Sequence, residues 1–224
     1  MKLKKIASLA LAGIMAVSML AGCKDGGNSN SGSSSSENTN TTSGYSAMLG
    51  QKAADTLSKA DNADLFTFAD NADDQKALEK VIREEVSQAN IVSYIQSTSV
   101  TRCDAGGPVS QSIYNAFEDE AGLNTQRSFG GTFWSSNDIN TDTLGDVWVA
   151  NGNISMDNVM STIFEAYKDG FKAEDGKGTW NGANIAYDYD VAVSVVNVPV
   201  SNYKDYTGSV NFIAVTVTRT AEFV

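Results

Sequence analysis

Four oxygen-bearing side chains, Asp138, Asn140, Asp142 and Asp146, stand close together in one run of the sequence. Oxygen ligands at alternate positions are how a chain surrounds Ca²⁺, so this run is the candidate metal site. An EF-hand loop needs glycine at its sixth place and glutamate at its twelfth. Counted from Asp138, those places hold Thr143 and Val149. The run therefore reads as a solvated turn, with a calcium loop of another kind as the alternative, and no other cofactor is expected. Trp134, Trp148 and Trp180 offer flat faces for stacking sugars or clamping a peptide, although the ordinary destination of an aromatic is the core. Trp180 is the strongest exception, because Gly176-Lys177-Gly178-Thr179-Trp180-Asn181-Gly182 has the composition of a loop. Cys103 lies between Arg102 and Asp104. A neighbouring cation sharpens a thiol, but a nucleophilic cysteine also needs a base, so a small buried thiol is the plainer reading.

The usual base is missing throughout, because the 224 residues contain no histidine. That excludes Ser-His-Asp and Cys-His catalysis, His-ligated zinc and an imidazole pH switch. Paired carboxylates are the remaining hydrolytic device. Glu118, Asp119 and Glu120 are consecutive on a predicted helix and point different ways, while the spacing of Glu165 and Glu174 gives no reason for them to meet. Sixteen basic against 27 acidic residues give a formal charge of −11, which argues against a nucleic-acid partner.

The first 44 residues have a separate character. Lys2, Lys4 and Lys5 precede an apolar run from Ile6 to Leu20, followed by Leu20-Ala21-Gly22-Cys23. A basic flank, a short apolar segment and small residues at a cleavage point make a secretory signal, and the run is short for a membrane span of about 20 residues. The four-residue ending resembles the lipobox of bacterial lipoproteins. That resemblance covers residues 1–23 only. It implies a signal peptide over 1–22, a lipid on Cys23, and attachment to the cell membrane from the extracytoplasmic side. Losing residues 1–22 removes three lysines and no acid, which deepens the charge from −11 to −14. A chain so acidic is repelled by anionic lipid headgroups, so the lipid itself has to hold it. Residues 24–44 contain no aliphatic or aromatic side chain, only polar types and glycine. Residues 23–44 thus read as the lipidated cysteine and a disordered tether, whose 21 or so polar residues reach roughly 25 Å.

All the aromatic residues follow Gly44, so residues 45–224 form the single globular domain. Apolar spacing predicts helices over about 45–60, 74–89, 109–121 and 157–169. Asn90 stops the second, and Gly122-Leu123 and Gly170-Phe171 end the third and fourth with left-handed caps. β-branched residues predict strands over about 91–102 and 129–135, and Asn151-Gly152 suits a tight hairpin after Val147-Trp148-Val149. Ile185 to Val195 and Val210 to Phe223 alternate with period two, a long C-terminal antiparallel hairpin joined through 199–208. The acids from Asp61 to Asp74 read as helix caps and solvated turns. The fold class is α+β, N-terminal helices packed on a mainly antiparallel sheet. Taken together, the sequence points to a lipid-anchored surface module that binds an extracellular glycan or protein, or contributes structurally, without catalysis. The alternatives are a carboxylate-dependent envelope hydrolase and an accessory subunit of a membrane complex.

Overall fold

The computed structural model describes residues 44–57, 63–96, 99–103, 108–124, 134, 139–200 and 205–224. These residues form an α+β fold of five α-helices and one six-stranded mixed sheet. In chain order the elements are α1 (Tyr45–Leu57), β1 (Phe66–Phe68), α2 (Ala72–Glu85), α3 (Gln88–Ile95), β2 (Thr101–Arg102), α4 (Pro108–Ala121), β3 (Asp142–Asn151), α5 (Met156–Ala173), β4 (Lys177–Trp180), β5 (Ala183–Pro199) and β6 (Ser209–Phe223). The strand order is β1-β5-β6-β3-β2, with β4 also paired to β5; β1 runs parallel to β5 and every other pairing is antiparallel.

The predicted C-terminal hairpin is the spine of this sheet, in register from Ile185 opposite Phe223 to Pro199 opposite Ser209. Its alternation puts Ile185, Tyr187, Tyr189, Val191, Val193, Ile213, Val215 and Val217 on one face, where α1 and α5 cover them. Val210, Phe212 and Ala214 face the other way, under Ala77, Leu78, Val81 and Ile82 of α2, Ile91 of α3, and Ile113 and Phe117 of α4. The sheet is thus the middle of three layers. The second helical layer covers only part of it. Burial is continuous along Val191–Ser194 and Val210–Val217, and reverts to alternation around Asp188 and Asp190, which are exposed. A strand covered on both faces is apolar throughout, and one covered on a single face alternates.

Several local expectations are corrected. The strand expected over 91–102 begins as helix α3 through Ile95, and within the described residues only Thr101–Arg102 is strand. Ser87 and Asn90 form a reciprocal capping box that starts α3, so Asn90 opens a helix instead of closing one. Ile91 and Val92 then find burial on a helical face, which outweighs their β propensity. β1 lies within the stretch read as irregular. Helix α5 runs through Gly170 and the buried Phe171 to Ala173, so no cap interrupts it there. The Gly122-Leu123 cap does form: Gly122 has φ of +66° and the Leu123 amide donates to the Glu118 carbonyl at 2.9 Å. The expected strand over 129–135 lies outside the described residues except for Trp134, which is not in a strand.

The tight Asn-Gly hairpin sits elsewhere than expected. Asn151-Gly152 leads from β3 into α5, with the Asn151 side chain accepting from the Asn153 amide at 2.9 Å. Asn181-Gly182 joins β4 to β5 instead, with φ of +49° and +85°, the two positive angles that a type I′ turn requires.

The outer edge of β5 is closed by several devices. β4 and β1 pair with it in turn, and the Tyr187 amide donates to the Gly176 carbonyl at 3.0 Å. Beyond β1, the Val193 amide donates to Ser46 Oγ at 2.9 Å, and Gln75 both accepts from the Val195 amide and donates to its carbonyl, at 3.0 and 3.1 Å. Asp70 takes the amides of Gly44 and Ser46 at 3.2 and 3.4 Å, a carboxylate at the positive end of α1. Ser46 is 1 % exposed, so removing its hydroxyl strands a buried amide. Ser46→Ala is expected to cost about 1–3 kcal/mol. The melting midpoint should fall by roughly 2–4 °C per kcal/mol, with faster amide exchange at Val193. An unchanged midpoint and exchange rate would contradict this role for Ser46.

Candidate functional site

Period two along β3 sends Asp142, Leu144, Asp146, Trp148 and Ala150 to the face covered by α1 and α5. Two of the candidate metal ligands therefore point into the molecule. Both Asp142 oxygens accept from Asn124 Nδ2, at 3.0 and 2.9 Å, and Oδ2 also accepts from Trp134 Nε1 at 3.3 Å. Across the sheet Asp142 pairs with Arg219, and Arg219 pairs on its other side with Tyr189. Arg219 is 2 % exposed, and its guanidinium lies over the rings of Trp134 and Tyr187, at 5.0 and 4.6 Å from their centroids. Stacking on aromatic faces suits a planar, weakly hydrated guanidinium better than it would an ammonium.

Glu174 closes this assembly from the end of α5, where it is the C-terminal cap. It accepts from the Trp134 amide at 3.1 Å and from the Tyr189 hydroxyl at 3.1 Å. Burial, then the adjacent Glu174 charge and the hydrogen bond to it, holds Tyr189 far above the ordinary phenol range, so it stays a donor.

Asp146 centres a second assembly. It is 1 % exposed, accepts from the Tyr167 hydroxyl at 3.0 Å, and pairs with Arg102 at 3.4 Å. Tyr167 in turn accepts from Trp148 Nε1 at 2.6 Å. Burial first, and the Asp146 charge second, raise the Tyr167 phenol well above its usual range. The chain Trp148–Tyr167–Asp146 is buried, and Arg102 brings it towards the surface.

These contacts decide what the sequence-predicted residues do. Asp142 and Asp146 hold structural donors, Asn140 is exposed and Asp138 lies outside the described residues. Among the described residues no group of three or more Cys, Asp or Glu side chains is arranged to hold a metal ion. Trp134 and Trp148 are buried, with their indole N–H groups bonded to carboxylate and phenol. Trp180 corrects the loop reading, since it ends β4 and packs half-buried on the core beside α1 and α5. Cys103 is buried in the core beneath the α2/α4 layer. On α4, Glu120 pairs with Lys80 and Glu118 accepts from Tyr114, so the consecutive acids do diverge. Sequence reasoning missed Arg219, and it weighed Glu174 only as a hydrolytic carboxylate. The available signal was a cation at the inward register of β6, two residues after Val217 and four after Val215.

The open concavity lies elsewhere, beside β3 on the edge that β2 shares. Tyr94 from the end of α3, Ser110 from the first turn of α4, Ser99 and Thr101 around β2, and Val149, Ala150 and Asn151 of β3 enclose a cleft of ≈ 190 Å³. Tyr94 and Ser110 join their hydroxyls across it at 3.0 Å, and burial raises the Tyr94 phenol, so the pair stays uncharged. Asn151 is pinned by donating to the Ile95 carbonyl. Among the described residues, this cleft presents polar side chains to solvent in a concavity.

One buried acid on the opposite face has a consequence for pH. Asp74, in the first turn of α2, accepts from Thr216 Oγ1 at 2.6 Å. Burial raises its carboxyl above the usual range, opposed by the Thr216 bond and reinforced by Asp73. A raised folded-state pKa means that its contribution to stability is fully present below the unfolded value and lost as pH rises through the folded one. Asp74→Asn keeps an oxygen for Thr216 without the charge. It is expected to raise the melting midpoint at pH 7, with the gain shrinking towards about pH 3.9, the ordinary value for aspartate. Thermal denaturation at both pH values checks this, and a variant no more stable than the parent at pH 7 refutes it. Compared with known proteins, the chain matches no family model, no curated protein and no solved structure.

Proposed function

We propose that this chain is a lipid-anchored extracytoplasmic surface protein whose folded domain binds a ligand without transforming it. The observation that carries the reading is Leu20-Ala21-Gly22-Cys23 behind a basic flank and an apolar run. Two features support it. The polar run after Cys23 ends where helix α1 begins, at Tyr45, so the chemistry of attachment and the folded core occupy separate stretches of chain. The half-buried Asp142 and the buried Asp146 and Glu174 are also engaged by fixed donors, which suits a structural role better than proton transfer to a substrate.

Lipid attachment accounts for membrane residence in a chain whose own charge opposes it. One acyl chain gives only marginal, reversible binding, and stable anchoring needs a second. Cys23→Ala removes the only atom in the sequence context to which that lipid would be joined. In a bacterial host, the parent is expected in the membrane fraction, with an N-terminal peptide carrying a lipid mass on Cys23. The variant is expected to leave the membrane with an unchanged circular dichroism spectrum. A parent that fractionates as a soluble protein with an unmodified Cys23 thiol overturns the reading.

A further inference from the structure

From the cleft beside β3 we infer a binding site for a neutral polyhydroxylated ligand, a single sugar ring either free or at the exposed end of an uncharged glycan. The inference rests on the reading of the folded domain as a binding module, and adds where it binds and what chemistry it takes.

The first argument is the absence of charge from the lining among the described residues. Charged residues make up 19 % of the chain, yet the groups around the cleft are three aliphatic hydroxyls, a phenol, a carboxamide and two small aliphatic side chains. An ionised ligand would give up water there without a counter-charge to replace it. An anion would also approach a chain of strongly negative net charge. A wholly apolar ligand would strip water from Tyr94, Thr101, Ser110 and Asn151 and return no hydrogen bond. A polyol exchanges hydroxyl for hydroxyl, and so meets neither penalty.

The second argument is preorganisation. A hydroxyl carries one donor and two acceptor lone pairs. The Tyr94–Ser110 bond uses one donor and one lone pair of the two groups, which fixes both oxygens and keeps capacity for a third partner. Tyr94 is itself held by an edge-on contact with Phe212, centroids 5.9 Å apart, and the Thr101 hydroxyl by its bond with the Ser99 hydroxyl at 3.2 Å. Polar groups whose rotamers are already set lose little entropy on binding. Val149 gives the C–H face of a ring an apolar contact.

Size sets the limit. At about 30 Å³ per water, ≈ 190 Å³ corresponds to about six waters. Drug-sized ligands occupy pockets of about 300 Å³ upward, so the cleft takes one ring. A single ring, incompletely enclosed, binds with a dissociation constant on the order of 1 mM.

The test is a titration of the ¹⁵N-labelled full chain in detergent micelles, following amide shifts. The probes are D-glucose, N-acetylglucosamine, cellotriose, chitotriose and, as the charged control, D-glucuronate. The expected result is saturable shifts at Thr101, Ser110 and Val149–Asn151 with at least one neutral sugar, and at least tenfold weaker binding of glucuronate. Thr101→Val and Ser110→Ala, which delete one hydroxyl each, should weaken binding about three- to tenfold, with spectra unchanged away from the cleft. Tighter binding of a trisaccharide assigns the ligand to a glycan end, and equal binding assigns it to a free sugar. Any of these results overturns the inference: no saturable shift at any neutral sugar up to about 50 mM, well above a millimolar constant; shifts that map away from the cleft; or glucuronate binding as well as the neutral sugars. Sugar binding that survives both hydroxyl deletions leaves the binding-module reading in place and removes the cleft from it. Failure of the Cys23 fractionation removes the surface-protein reading whatever the titration shows.

Discussion

Strand β5 is the constraint on which the rest of the fold depends. It spans 17 residues, and a strand that long exposes two rows of backbone donors and acceptors. β6 takes one row along nearly its whole length. The other row is divided among β4 with the adjoining Gly176 carbonyl, β1, the Ser46 hydroxyl and the Gln75 carboxamide, which come from four separate stretches of the chain. Each of those partners has to be in place for the edge to close, so the positions of α1, α2, β1 and β4 are all referred to β5. Asp70 extends the same linkage, because it caps α1 from the residues just after β1. The edge is covered with polar groups and cannot recruit a further strand where they sit.

Arg219 adds specificity to that frame. A buried cation costs several kcal/mol of desolvation before its contacts offset it. What it fixes is register. Because side chains alternate across a strand, a slip of one residue between β6 and its neighbours would move Arg219 away from Asp142, Tyr189, Tyr187 and Trp134 to the opposite face, on the side of the exposed Asp188 and Asp190. Asp146 and Tyr167 do the same for β3 against α5. The aliphatic residues alone discriminate poorly between registers, since both faces of the central sheet are apolar along Val210–Val217. The charged residues at inward positions supply the distinction.

Much of the topology was legible where one periodicity ran uninterrupted. The long hairpin, the α4 helix with its Gly122-Leu123 cap, and the inward set Ile163, Phe164 and Tyr167 all follow from local pattern. The failures share a physical cause, which is that local signals were outvoted by distant partners. Ile91 and Val92 read as strand, but a capping box at Ser87 and a buried helical face made them α3. Gly170 read as a cap, but its place against the core favoured continuing the helix to Ala173. Asn151-Gly152 and Asn181-Gly182 are the same dipeptide, and only the second joins two strands that pair with each other. The acids of the 138–146 run read as a solvated turn, or else a calcium loop, because their donors, Asn124, Trp134, Tyr167 and Arg102, are 8 to 44 residues away. The cleft could not be read at all, since no motif links Tyr94, Thr101, Ser110 and Asn151.

The cleft exists because two layers end out of step. β2 pairs with β3 at two residues only, opposite Val149 and Trp148, whereas β3 continues to Asn151. The helical layer on that side ends in α3 on one flank and begins again with α4 on the other. Between them, among the described residues, no long strand pairs with the sheet edge, and the polar ends of four elements meet there. A concavity formed this way is lined by whatever residues terminate those elements. Here they are hydroxyls and a carboxamide, the groups that cap and turn a chain. The same requirement that leaves such ends polar, keeping backbone groups satisfied near solvent, also equips the step in the sheet to exchange hydrogen bonds with a ligand.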